Sequence, residues 1–515
     1  LKATNYKLFF LLFSAHSIFS QNFLGIAGSN FVGTHANSLN PANVVDTRTK
    51  LFVNLAAVGV DFQNNYARWG APFSFPAFST NNVADKHRNA AGLIIWRGSY
   101  IGQNENKKKV STFINGEGRG PAIQFDIKKW GLGVAAGVKY KYLTSLVNAS
   151  PEVGRMIVEG TRSPSLIGNT YNNSEFYFNT GFYNEFFGTI GKVILNEDDR
   201  FIKIGATGKY LVSEMFTNIS AYDFDFNVVS DPANNRRQII NLPRTNAYYA
   251  QVAAEPRLSI SSFTNQMTKL SGLGTGFGGE LGIIYEYRPD FRNYTRINNG
   301  KIHTDPRVNK YKYRLGFSLL DVGFIRYSSP QAVRVNEINS VNNRIIRGDY
   351  NMLSGFEELI TSTEEVYDVD PTTHGNTFLI YTPASAVATI DYNIKDNYFV
   401  NVIVRQSLLN TNRRGAITYS GISVVPRYET KNLMISAPVS LDHNYQNFNL
   451  GLAVRFANVF LGSDNITGWL NTFNPRGFSI YAGIFLPLYH RLPQSPLKCF
   501  YEEPLFKKKR YKKRL

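Results

Sequence analysis

The sequence predicts an all-β chain whose strands close into a transmembrane antiparallel β-barrel. Three observations carry that expectation. The chain opens on a leader-like stretch. It then runs through ten-odd segments of alternating hydrophobicity. After Gln21 it holds no apolar run of the roughly 20 residues that a spanning helix needs. Mean hydropathy is −0.23, where a helical membrane protein would be clearly positive. A barrel hides its apolar residues at every second position, so its average resembles that of a soluble chain. The 30 tyrosines and 38 phenylalanines favour strands and membrane-interface girdles.

Residues 1–20 read as a signal peptide. Lys2 and Lys7 form a basic start, Leu8 to Phe13 a short apolar core, and Ser20 a small residue before the cleavage point. The chain is therefore expected to leave the cytoplasm. Residues 21–48 are small, polar and turn-rich, with Gly25 to Asn30 followed by His35 to Asn43. Such a segment is expected to fold inside the lumen as a plug, because irregular backbone is tolerated there when protein surrounds it. Its core motif is Asn40-Pro41-Ala42.

The barrel is expected over 49–487. Leu132, Val134, Val138, Tyr140 and Tyr142 alternate with Gly133, Ala135, Gly137, Lys139 and Lys141. Tyr222, Phe224, Phe226 and Val228 alternate with Asp223, Asp225 and Asn227. Phe277, Leu281, Ile283, Tyr285 and Tyr287 alternate with Glu280, Gly282, Ile284 and Glu286. Tyr313, Leu315, Phe317 and Leu319 alternate with Lys312, Arg314, Gly316 and Ser318, and Phe448 to Phe456 alternates in the same way around Arg455. A period of two puts one set on lipid and the other on the lumen. Lys139, Lys141, Asp223, Asp225, Glu280, Glu286, Lys312, Arg314 and Arg455 are then the lumen-facing residues. A soluble sandwich also alternates. Mid-strand charge, recurrent glycine on the polar face and strands of membrane-crossing length weigh against it.

Tight turns are expected at Lys395-Asp396-Asn397 and at Lys128 to Gly131. Residues 145–175, 229–270 and 328–378 are expected as long outer loops, with helical pieces at Pro151 to Glu159 and Leu353 to Thr361. Residues 488–515 form a basic tail, in which Lys507 to Arg514 carries seven positive charges. Like charges at that density repel and bury nothing, so a solvated periplasmic tail is expected.

Composition excludes several classes. The single cysteine, Cys499, rules out a disulfide framework within the chain. The net charge of +18 raises nucleic acid as a partner, but export argues against it. Gly274 to Gly279 fits a dinucleotide fingerprint by letter, yet it precedes a strand, so a loop entering a strand is expected. His35, His87, His303, His374, His443 and His490 lack metal-ligand spacing. No serine sits in a nucleophile elbow, and Glu357 and Glu358 are adjacent, so their side chains diverge. Asp464-Asn465 reads as a turn with too few oxygens for calcium. No enzyme, metal or cofactor is expected.

Asn40-Pro41-Ala42 after a glycine-rich start resembles the amino-terminal hatch of long-chain fatty-acid transporter-type barrels and their Bacteroidota relatives. Gly282 to Pro289, Tyr313 to Gly323 and Leu461 to Asn465, in that order, resemble an uncharacterised Bacteroidota outer-membrane family of unknown function. The resemblance implies one barrel of about 14 strands in the outer membrane of a Gram-negative bacterium, with outer-membrane lipid around it. Two functions then compete. One is passive transport of small or hydrophobic solutes. The other is a membrane scaffold whose periplasmic or surface protein partner belongs to a gliding or type-nine secretion assembly. An open lumen would favour the first, and a filled lumen the second.

Overall fold

Thr49–Asn64, the first strand of the wall, pairs along its whole length with two others. On one side lies Val110–Ile127, its successor in the wall, and on the other Gly477–Tyr489, the last. The pairing of first strand with last closes the sheet, which removes the exposed edges that an open sheet would present. All wall pairs are antiparallel. The sheet contains 19 strands. Three staves are interrupted pairs (Thr377–Tyr381 with Ser385–Lys395, Leu433–Ser436 with Val439–Asp442, Asn447–Leu450 with Leu452–Phe456). Two further strands extend beyond the wall, which leaves a closed barrel of 14 staves. The computed structural model describes residues 23–490, apart from 162, 198, 233, 253–269, 299–300, 347–355, 410–414 and 474. The signal-peptide and basic-tail expectations, and Cys499, lie outside the described residues.

The alternation decides which face is which. Phe277, Leu281 and Ile283 are 63%, 60% and 46% exposed, while Glu280, Ile284 and Glu286 on the alternate face of the same strand are buried. Leu315 and Phe317 point out, as do Ile190 and Ile204 on two other staves. These residues form an apolar outer belt that lipid covers. Tyr140 shares the outward face but is only 1% exposed, because Phe62, Ile114, Tyr142 and Phe182 crowd around it.

Short turns gather at one end. Asp396 takes a positive φ of 50° between Ser385–Lys395 and Tyr398–Ser407, and Gly131 a φ of 55° after Lys128–Trp130. In outer-membrane barrels that end faces the periplasm. The opposite end departs from the sequence expectation. Residues 229–270 and 328–378 are not simply loops. Arg200–Asp231 is 32 residues long, about three times what a tilted crossing needs. Its second half projects past the wall and pairs with Asn234–Val252, which pairs with Val333–Ile346. The helix Pro151–Glu159 packs Val153 and Val158 against Phe224, Phe226 and Val228 of this extension. A second helix, Phe356–Tyr367, ends later than the expected Leu353 to Thr361, of which 353–355 lie outside the described residues.

Gly274 to Gly279 also differs from expectation. It lies within the strand Gly274–Tyr287 rather than in a loop. Glycine is needed there because a Cβ on Gly276 would collide with the Phe324 carbonyl across the pair.

The lumen and its N-terminal segment as candidate functional site

Residues 23–45 are almost entirely buried. They form two short helices, Leu24–Ala27 and Thr34–Asn37, and a 3-10 turn, Pro41–Val44. Their partners come from inward-facing residues of many staves. Asp464 accepts from the backbone N–H groups of Leu24 and Gly25 at 2.9 and 3.2 Å. The Tyr481 hydroxyl donates to Asp464 at 2.9 Å, which fixes that carboxylate. Ser436 donates to the Gly25 carbonyl at 2.7 Å, and Ser318 to the Leu39 carbonyl at 2.8 Å. Glu429 accepts from the backbone and side chain of Asn30, and Lys203 donates to the Val45 carbonyl at 3.0 Å.

Asn40 organises the last turn. Its Oδ1 accepts from the Ala42 N–H at 2.9 Å, an N-cap contact, with Pro41 at the first helical position. Its Nδ2 donates to the carbonyls of Ile283 and Phe317 at 3.1 and 3.0 Å. The turn approaches the wall this closely because the wall there has no side chains. Gly133, Gly191, Gly205 and Gly282 are successive cross-strand neighbours, and the row ends at Ser318. A Cβ on Gly205 would lie 2.5 Å from the Pro41 carbonyl group, and one on Gly191 2.5 Å from the Val44 side chain. Cβ atoms on Gly133 and Gly282 would collide with Val44 and Asn40. This glycine row is a seat for Asn40–Val45.

Three layers lie along the lumen. Above the seat is a charged layer, in which Lys141 meets Glu185 and Asp321 at 3.0 and 2.8 Å. Lys209 meets Glu185 and Glu280 at 3.1 and 2.5 Å and also contacts Asp321. Lys139 stands over the Phe187 ring at 5.4 Å. Toward the outer end comes an apolar layer of Leu143, Tyr183, Leu211, Phe216, Tyr327 and Phe378. Ala416 packs in this layer, Ile417 and Tyr419 pack on Phe113, Val147 and Tyr177, and the Tyr419 hydroxyl donates to Asp61 at 2.6 Å. Below the seat is a second charged region. Arg314 and Arg427 share Asp391 at 2.9 and 2.7 Å, and Arg288 binds Glu286 and Asp46 at 2.5 and 2.7 Å.

The sequence-derived lumen residues therefore divide. Lys139, Lys141, Glu280, Glu286 and Arg314 gather inside the barrel. Arg455 is fully buried and donates to the carbonyls of Thr430 and Lys431 at 2.7 and 3.0 Å, at the short-turn end. Lys312 does not face the lumen. It precedes the strand Tyr313–Ser328, donates to the Ile394 carbonyl, and lies 4.7 Å over the outward Tyr392 ring. Asp223 and Asp225 lie in the projecting extension, bound to Arg244 at 2.9 and 3.2 Å. They keep the alternation, but the strand outruns the wall, so no lumen remains for them to face.

Asp321 shows what alternation misses. Its parity puts it on lipid. A bulge between Leu319 and Val322, with Asp321 at φ 54°, turns its carboxylate into the charged layer. Asp464, expected as a plain turn residue, holds the segment's first helix. Among the described residues no group of three metal-binding side chains occurs.

A model for a family of unknown function, DUF5723, matches residues 41–464. The chain belongs to that family. No curated protein matches it. Among solved structures, this family member is similar to the toluene transporter TbuX of Ralstonia pickettii, at 10% identity over 93% of this chain and 100% of that one, with a TM-score of 0.39. It is also similar to the toluene transporter TodX of Pseudomonas putida, at 10% identity over 92% and 97% with a TM-score of 0.30. A third is the translocator domain of autotransporter NalP from Neisseria meningitidis, at 8% identity over 85% and 88% with a TM-score of 0.28.

Proposed function

We propose that this chain is a gated passive transporter for small or hydrophobic solutes in the outer membrane of a Gram-negative bacterium, with residues 23–48 as its movable seal. One observation carries the reading. Residues 23–45 lie buried inside the barrel, join the wall only at Thr49 and rest on a side-chain-free seat. A barrel that only anchored a partner would need no such seat, because its own inward side chains could fill it. The apolar outer layer of Tyr183, Phe216, Tyr327 and Phe378 suits hydrophobic solutes, and the charged layers below it would detain them until the segment moves.

A second reading is a scaffold. The filled lumen and the sheet extension past the wall favour it. The two separate on one experiment. A chain shortened to begin at Arg48 is compared with the full chain in planar bilayers and in liposome-swelling assays with small sugars. A conducting shortened chain and a silent or weakly conducting full chain are expected. A shortened barrel that folds, judged by its heat-modifiable gel band, and still conducts nothing would refute the transporter and leave the scaffold.

A further inference from the structure

At the short-turn end, the N-terminal segment, the strand ends and residues 306–311 enclose a polar cavity of about 50 Å³. On the same measure one water needs about 10–15 Å³, so there is room for a group larger than a water. Five cations line it: Arg48, Lys203, Arg288, Lys310 and Arg314. Among the described residues, two carboxylates line it, Asp46 and Glu286.

The pairing is correspondingly uneven. Asp46 already serves Lys128, Arg288 and Lys310 at 2.6, 2.7 and 2.8 Å. Arg314 is matched by Asp391, which Arg427 also uses. Lys203 reaches Glu286 only at 3.8 Å and otherwise donates to a backbone carbonyl. Arg48 donates to the Arg307 carbonyl and Asn309 Oδ1, both neutral, at 3.0 and 3.3 Å. Lys310 lies on the loop outside the strands. Burial pushes its ammonium down to about 7, with Lys128 and Arg288 acting in the same direction against Asp46.

We infer that this cavity is a binding site for a multiply charged oxyanion of the phosphate class, bridging Arg48 of the N-terminal segment to Lys203 and Arg314 of the wall. The surplus of cations over carboxylates calls for more than one negative charge. The Arg48 guanidinium, which makes no ion pair among the described residues, and the Lys203 ammonium, 3.8 Å from Glu286, supply charge-assisted donors that phosphate oxygens accept. A bound anion would tie three separate pieces of chain together and tighten the seal. The site needs no assumption that the lumen conducts, so its failure and the failure of the transporter reading are separate results.

The test uses the full chain in detergent micelles. Calorimetric titration with inorganic phosphate at constant ionic strength is run beside titration with a soluble short-chain phosphatidic acid. Protection of residues 23–48 from proteolysis is followed in both. Saturable binding and slower cleavage are expected. Phosphate alone sufficing points to a free anion, and a requirement for the lipid points to a headgroup. Arg48→Gln should weaken binding by about tenfold, the loss of one charge-assisted contact. Lys107→Gln, outside the cavity, should change nothing. Lys203→Gln serves as a second variant, provided its heat-modifiable band is intact. Absence of binding by both probes, or affinity equal in Arg48→Gln and the unaltered chain, would overturn the site.

Discussion

Gly205 has a consequence larger than its size. Its missing Cβ leaves room for the Pro41 carbonyl, so a side chain there pushes residues 40–45 off their seat without touching strand pairing. Gly205→Val is expected to keep a folded barrel and raise basal conductance in planar bilayers. Gly188→Val, where a Cβ meets nothing within 4 Å, is the matched control and should leave conductance unchanged. His443 offers a second test at this scale. It lies in the turn after Val439–Asp442, edge-on to Phe113 at 5.1 Å. Burial pushes its imidazole down to about 3, with Lys107 and Arg476 adding to the effect. Its ring nitrogens are buried without hydrogen-bond partners. The unfolded chain, near the usual 6.5, therefore binds more protons between pH 6.5 and 3. Stability from this group is present above 6.5 and is lost as pH falls through that window. His443→Phe should flatten the acid limb of the unfolding midpoint against pH, at little cost at neutral pH.

Among the elements, the 3-10 turn Pro41–Val44 is the joint between segment and wall. Asn40 caps it and donates twice to wall carbonyls. Asn40→Ala removes the cap and both bonds and leaves two strand carbonyls with one acceptor position unused. A cost of about 1–3 kcal/mol is expected, confined to the segment. Hydrogen exchange should speed up over residues 34–45 and stay unchanged in Thr49–Asn64. Uniform acceleration across the barrel would mean that the segment is part of the folding core rather than a seal. The motif Asn40-Pro41-Ala42 was visible in the sequence as part of a turn-rich segment that resembles a hatch. Its seat was not, because Gly133, Gly191, Gly205 and Gly282 are scattered along the chain and become a row only through strand register.

For the whole molecule, the charge surplus at the periplasmic end sets ion preference. If residues 21–47 are removed, Asp46 goes and the cations Lys203, Arg288, Lys310 and Arg314 stay. The opened barrel should then favour anions, read as the reversal potential across a salt gradient, because rings of like charge bias ion passage. A cation-selective reversal potential would mean that the mid-lumen carboxylates Glu185 and Glu280 control passage instead.

The sequence by itself determined the barrel and the lipid-facing belt, and six of the nine residues named for their charge, Arg455 among them, lie on the inward face. These follow from a period of two, which is local: each strand states its own two faces. Lys139, Lys141 and Glu280 could be read as inward from their immediate neighbours alone. The tertiary structure decided everything that depends on where a strand stands relative to the membrane and to other strands. Asp223 and Asp225 obey the alternation yet miss the lumen, because Arg200–Asp231 outruns the wall. Lys312 falls one residue before its strand and lies over Tyr392 outside. Asp321 reaches the lumen only because a bulge inserts a residue and reverses its parity. Which cations share Asp46, and which are left without a close carboxylate, is fixed by closure of the sheet, since closure alone brings residues 46, 203, 288, 310 and 314 to one end of one lumen.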